Sequence, residues 1–200
     1  MLIISIDIGE KNLGWTITKV SDEIQTKKIP LSSFEFSSGV FDFTSLVKDN
    51  VVLSRVLALK RFFEIKLGDE QVWGAVIERQ VFRNEIAMEL MYSVVSFLSM
   101  KTDNIIIFDP KLKFSKIGQQ YSTVNKAHKK QSIENMKRMI SDESRNSSFK
   151  TLSEKLDSEK ARKQKQDDIA DSFNQLIVQL TIWDKLDEGL DFIKDIYNGK

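Results

Sequence analysis

Residues 1–20 read MLIISIDIGEKNLGWTITKV, and the order of residue types in this stretch decides the fold. Leu2, Ile3, Ile4, Ile6 and Ile8 make a short apolar run rich in β-branched residues, which predicts a strand buried on both faces. Asp7 interrupts the run. A carboxylate at the end of a buried strand is costly unless it is paired, hydrogen-bonded or bound to a metal, so Asp7 requires a reason. Gly9 and Gly14 favour a turn, and Trp15 to Thr18 resumes as a second strand. The prediction is a β-hairpin with an acid at its base.

The same alternation continues downstream. Phe34 to Phe43 predicts a third strand, and Leu46 to Leu67 an amphipathic helix carried by Val52, Val56, Leu59, Phe63 and Leu67, with Gly68 at its end. Gln71 to Gln80, QVWGAVIERQ, is a second apolar strand with a charged end, because Glu78 follows Val76 and Ile77 directly. Arg83 to Met100 is helical by its period; Met88 and Met91 widen its apolar stripe, a surface for its own sheet or for a second copy. Asn104 to Asp109, NIIIFD, is another buried strand closed by Pro110. A hairpin followed by alternating strands and helices predicts an α/β domain with a mixed sheet.

From Lys111 the texture changes. Lys111, Lys113, Lys116, Lys126, Lys129 and Lys130 fall in one stretch with Phe114 and Tyr121 between them, a composition suited to tracking a phosphate backbone, or simply to a solvated face. Lys101 to Asp168 carries 16 basic against 10 acidic residues, whereas the whole chain has a net charge of only +1. Gln131 to Ile140 predicts a helix. Residues 141–166 have few large apolar side chains and predict a flexible insertion whose later part has good helix formers. The stretch DDIADSFNQLIVQLTIWDKL then gives a helical period through Ile169, Phe173, Leu176, Ile177 and Leu180, with Asp168 and Asp171 on one face of its first turn.

Composition narrows the chemistry. Two hundred residues, 41% hydrophobic and 30% charged, suit one globular domain, and no apolar run approaches the roughly 18 residues that span a bilayer. With no signal peptide at the amino terminus either, the reading is an intracellular protein. The absence of cysteine, natural or engineered, excludes disulfides, thiolate zinc sites and a cysteine nucleophile, and His128 is the only histidine. Any metal would be held by oxygen. Singly, Asp7 reads as a turn residue, Glu78 as a partner of Arg79 or Arg83, and Asp168 with Asp171 as complements to a helix amino terminus. Together they are four carboxylates in the order strand, strand, helix, a donor set that selects Mg²⁺ or Mn²⁺ and suits two-ion phosphodiester hydrolysis.

Four segments carry a family resemblance: IDIGEKNLGW around Asp7, VIERQ around Glu78, KKQSIENM around Lys130, and DDIADSFN around Asp168 and Asp171. The sequence resembles the RuvC-type Holliday junction resolvases of the ribonuclease H-like superfamily, and most closely their poxvirus branch. The resemblance implies a five-stranded mixed β-sheet flanked by α-helices. It implies Asp7, Glu78, Asp168 and Asp171 as ligands of two Mg²⁺ ions, with Mn²⁺ as a substitute. It also implies Lys130, or the adjacent Lys129, as an active-site lysine; the basic stretch itself makes Lys111, Lys113, Lys116, Lys126 and Lys129 candidate DNA contacts. The activity implied is paired symmetric nicking of a four-way junction by a homodimer in DNA recombination and repair, located for a viral protein at sites of DNA replication in the host cytoplasm. The alternatives are another ribonuclease H-like nuclease acting on branched DNA or RNA–DNA hybrids, and a non-catalytic junction-binding protein.

Overall fold

The computed structural model describes residues 1–43, 52–119, 125–142, 144, 146–161 and 166–199. The predicted opening hairpin is present as β1 (Leu2–Ile8) and β2 (Asn12–Lys19), and a third strand, β3 (Glu35–Asp42), follows it. Helix α1 (Val52–Leu67) leads to β4 (Val72–Glu78), α2 (Glu85–Ser99) and β5 (Ile105–Phe108). The chain then turns helical: α3 (Leu112–Ser115), α4 (Asn125–Ile140), α5 (Ser148–Ala161), α6 (Gln166–Ile182) and α7 (Gly189–Asn198).

The strands form one sheet in the order β3-β2-β1-β4-β5, antiparallel across β3, β2 and β1 and parallel across β1, β4 and β5. This order puts the charged ends of β1 and β4, at Asp7 and Glu78, side by side, because parallel neighbours finish at the same edge of a sheet. Side chains alternate between faces, so the odd residues of β1 (Ile3, Ser5, Asp7) turn one way and the even ones (Leu2, Ile4, Ile6, Ile8) the other. The even set joins Leu13, Trp15, Ala75 and Ile77 in an apolar core beneath α1 and α2. The opposite face is covered by α6 and, over β3, by α5, with α4 and α7 packed on α6.

Local chemistry sets several boundaries. Gly68 ends α1 at φ +49°, a left-handed conformation that glycine adopts without the Cβ penalty. Asn84 caps α2, its side-chain oxygen accepting from the Ala87 amide at 3.1 Å. Met91 of α2 lies in the chain's own core and Met88 packs partly against it, so much of the widened stripe serves the sheet beside it. Gly14 permits the closest approach in the fold: a Cβ there would lie 2.2 Å from the Asp168 carbonyl oxygen, so the start of α6 rests directly on β2.

Two stretches differ from expectation. The helix predicted from Gln131 begins earlier, at Asn125. The insertion expected over 141–166 contains α5, whose Phe149, Leu152 and Leu156 recur at helical spacing and enter the core against β3. Three well-placed apolar residues suffice to bury one stripe of an otherwise polar helix. Among the described residues no helix is long and apolar enough to cross a membrane.

Candidate active site

The face of the sheet under α6 adds buried polar contacts to its apolar core, as the opposite face does not. Thr16 shares hydrogen bonds with Ser38 at 2.7 Å and with Ser172 of α6 at 3.0 Å, all three buried. One turn beyond Asp171, the buried Gln175 side-chain amide reaches three groups: the Ser5 hydroxyl at 3.1 Å, the Ile6 carbonyl at 3.3 Å and the Val76 carbonyl at 3.1 Å. Ile6 precedes Asp7, and Val76 lies two residues before Glu78. One side chain therefore ties α6 to both acid-bearing strands, and a buried amide with these partners fixes register as well as contributing about 1 kcal/mol per bond.

Above this layer three of the predicted acids, Asp7, Glu78 and Asp171, gather about a cation, the ammonium of Lys113. Lys113 is 1% exposed; its Nζ donates to Glu78 Oε2 at 2.6 Å and lies 3.1 Å from Asp171 Oδ1. Burial would pull this ammonium toward neutrality, but Asp171, then Glu78 and Asp7, outweigh it and hold Lys113 above the usual lysine value. Asp7 is pushed well above the ordinary aspartate range by burial first, then by the charges of Glu78 and Asp171, with Asp168 adding to them and Lys113 opposing. The charges of Glu78, Asp171 and Asp168 thus all bear on Asp7.

Asp171 is further held from behind. Ser132 of α4 donates its hydroxyl to Asp171 Oδ1 at 2.7 Å, Asn174 donates to the Ser132 carbonyl and hydroxyl at 2.8 and 3.0 Å, and Tyr197 of α7 donates to Asn174 Oδ1 at 2.9 Å. Tyr197 and Asn174 are buried, and burial pushes the Tyr197 hydroxyl toward its protonated, donating form. The order Tyr197, Asn174, Ser132, Asp171 orients one carboxylate oxygen from three helices.

The lysines divide differently from expectation. Lys113, expected only as a DNA contact, occupies the centre of the acids. Lys129 pairs with Asp167, beside Asp168, and its charge is supported by Asp167, Asp168 and Asp171 against the cost of its burial. Lys130 is not brought to the acids: its side chain is 79% exposed and its ammonium lies 3.8 Å from Glu134, one turn on. A helix turns 100° per residue, so adjacent lysines cannot both face the sheet, and α4 turns Lys129 inward. Lys111 and Lys116 are exposed beside the centre, and the Lys126 side chain lies outside the described residues.

Sequence reading missed Lys113, Ser132, Asn174 and Gln175 as parts of this centre. The signal for Lys113 was its setting, PKLKF, in which Leu112 and Phe114 flank it; Phe114 is buried and anchors the short α3. Ser132, Asn174 and Gln175 are polar residues inside the helical apolar stripes of α4 and α6, a pattern that marks buried polar contacts.

The donor chemistry fits a hard divalent ion, since Asp7, Glu78, Asp168 and Asp171 supply only oxygen, and Asp7, Glu78 and Asp171 already act on one positive charge. Among the described residues no three acidic or histidine side chains stand in the arrangement of a formed ion cage, and the cation at the centre is Lys113.

The fold and this centre can be set beside known proteins. The family model described as Poxvirus A22 protein matches residues 1–182. Among solved structures, a fowlpox virus resolvase in complex with substrate Holliday junction DNA is similar at 22% identity and TM-score 0.57, over 92% of this chain and 99% of that one. The fowlpox virus Holliday junction resolvase solved under its own description is 18% identical at TM-score 0.56, with the same coverage. Thermus thermophilus RuvC aligns at 12% identity and TM-score 0.45, over 63% of this chain and 74% of that one. No curated protein sequence matches at a significant level. The sheet order and flanking helices make this a ribonuclease H-like fold, as the resemblance implied. With the model spanning both strand acids, the lysine-bearing helices and the acid pair of α6, the chain belongs to the Poxvirus A22 protein family.

Proposed function

We propose that this chain is a metal-dependent DNA endonuclease that resolves four-way junctions by paired symmetric nicks, with residues 1–200 acting as one nuclease domain. The observation that carries the reading is the gathering of Asp7, Glu78 and Asp171 around the buried Lys113 ammonium, at the edge where β1 and β4 end. Membership of a poxvirus family, and likeness to a fowlpox resolvase solved with Holliday junction DNA, support the substrate. They also support action in viral DNA recombination and repair, at replication sites in the host cytoplasm.

Asp7, Glu78, Asp168 and Asp171 would hold two Mg²⁺ ions, which when bound supply an activated water and neutralise charge on the phosphate. The chain's own residues do the rest. Asp7 sits in a half-buried, acid-rich position that favours a cation beside it. Lys113 keeps a permanent positive charge against Glu78 and Asp171, placed to stabilise charge that develops on a phosphate. Ser132 fixes Asp171 through its Oδ1, leaving the other oxygen for ligation. Lys129, paired with Asp167, positions the first turn of α6 and adds positive charge at its mouth.

A homodimer follows from the substrate, because a four-way junction has twofold-related strands and a C₂ protein presents two identical sites to them. The test is a labelled four-way junction incubated with the protein and Mg²⁺, mapped at nucleotide resolution. Symmetric nicks in opposing strands, lost in EDTA, are the expected result; linear duplex or RNA–DNA hybrid cut equally well would overturn junction selectivity.

A further inference from the structure

The open edge of the sheet carries a second group of polar side chains that the carboxylate centre does not use. A cavity of about 280 Å³ opens beside β3, between α1 and α5; Trp15, Phe36 and Leu152 give its apolar lining and Ser37, Ser38, Thr151, Lys66 and Lys155 its polar one. Lys66 belongs to the last turn of α1 on one face of the sheet, and Lys155 to α5 on the other. Helices from opposite faces therefore bring two ammonium groups round the same strand edge.

Three features of this cavity favour an anion. The Lys66 ammonium stands 4.2 Å from the Trp15 ring centroid and, among the described residues, makes no ion pair. Burial, and then the neighbouring charge of Lys155, both push Lys66 toward neutrality, a cost that an anion between them removes. The backbone adds a donor. The Phe36 amide points outward from β3 to Ser148 Oγ at 3.0 Å, and an antiparallel strand repeats every second residue, so the Ser38 amide faces the same open edge. Ammonium groups, hydroxyls and a strand-edge amide around one cavity are the donor set of an oxyanion site.

We propose that this cavity is a second phosphate site, which binds a backbone phosphate of the nucleic acid away from the bond that is cut, through Lys66, Lys155 and the Ser38 amide. The nature of the ligand rests on the nuclease reading; the anion site itself rests on the cavity. β3 lies two strands from β1, about 10 Å across the sheet, so the phosphate would belong to a flanking nucleotide or arm and would set the register of the strand at Asp7.

Two arms test the site and its ligand separately. In the first, inorganic phosphate is titrated into the protein at constant ionic strength, and the Trp15 indole and Ser38 amide are followed by NMR. Both signals should shift in wild type, but not in the Lys66→Gln/Lys155→Gln double variant; no phosphate-dependent shift in wild type overturns the site. In the second, affinity for a four-way junction is measured in EDTA across a salt series. The double variant should bind more weakly, with the slope of log affinity against log salt reduced by about 1. Its single-turnover cleavage rate on fully bound junction should stay at wild-type level, since neither lysine touches the carboxylates. Phosphate shifts with an unchanged salt slope would overturn nucleic acid as the ligand. A wild-type protein that bound phosphate but no junction would instead overturn the nuclease reading and leave the anion site standing.

Discussion

On the face of the sheet beneath α1 and α2, the buried residues are Ile4, Ile6, Leu13, Trp15, Ala75 and Ile77; on the face beneath α6 the same strands bury the polar Ser5 and Thr16 beside Ile3 and Val76, and leave the Asp7 carboxylate half-buried. A strand cannot place neighbouring residues on one face, so the alternation in LIISIDI already divides the labour. The apolar face supplies cohesion without direction. The α6 face gives up some cohesion for directed contacts: Gln175 reaches both acid-bearing strands, and Ser132 fixes Asp171. Changes to the directed polar contacts of the α6 face should cost activity, whereas changes to the apolar packing beneath α1 and α2 should cost stability alone.

The largest effect is expected at the acids. Asp7→Asn or Glu78→Gln should lower single-turnover junction cleavage on the order of 10³-fold or more while leaving junction binding in place. The contrast on the apolar face is Leu59→Ala. It should lower unfolding free energy by about 2–5 kcal/mol in urea titrations, yet leave the cleavage rate of the folded fraction unchanged. A comparable loss of rate in Leu59→Ala would erase the distinction between the faces.

Gln175→Leu tests the strap between them. It fills similar volume but removes donors to Ser5, Ile6 and Val76, and should cost about 1–3 kcal/mol together with a measurable fall in cleavage. Stability lost without activity would reduce Gln175 to packing.

The pH dependence sharpens the comparison in metal-free buffer. Asp7 is raised above the ordinary value of 3.8 by burial and then by Glu78 and Asp171. With the folded value above the unfolded one, the contribution of Asp7 to stability is complete below the ordinary value and is lost as pH rises through the raised one. Asp7→Asn escapes that loss. In EDTA its Tm should match wild type near the ordinary aspartate value and exceed it as pH rises above that; a constant difference with pH would contradict the raised Asp7 carboxyl. The smallest effect belongs to Tyr197→Phe, which removes one donor to Asn174. About 1 kcal/mol of stability and a modest weakening of Mn²⁺ binding, read by calorimetry, are expected.

Much of this is legible in the sequence. Apolar runs at Leu2–Ile8 and Val72–Ile77, each followed or interrupted by an acid, marked the two central strands, and the spacing of Asp168 and Asp171 marked the first turn of α6. Such signals are local, and periodicity reads local order well. Lys113 was hidden because its burial is a tertiary fact: in sequence it is one of six lysines in a basic stretch, and only the docking of Phe114 turns α3 so that this ammonium meets Glu78. The inward turn of Lys129 over Lys130 depends in the same way on how α4 lies against α6. Tyr197 acts across 23 residues of chain through Asn174, and no window of sequence joins the two.

The most direct test of the centre is to measure, in one set of samples, junction affinity and single-turnover cleavage for wild type and Asp7→Asn with saturating Mg²⁺. Unchanged binding within a few-fold, with cleavage reduced on the order of 10³-fold, is the predicted result. Cleavage at the wild-type rate by Asp7→Asn would contradict the placement of the catalytic centre on the α6 face of the sheet.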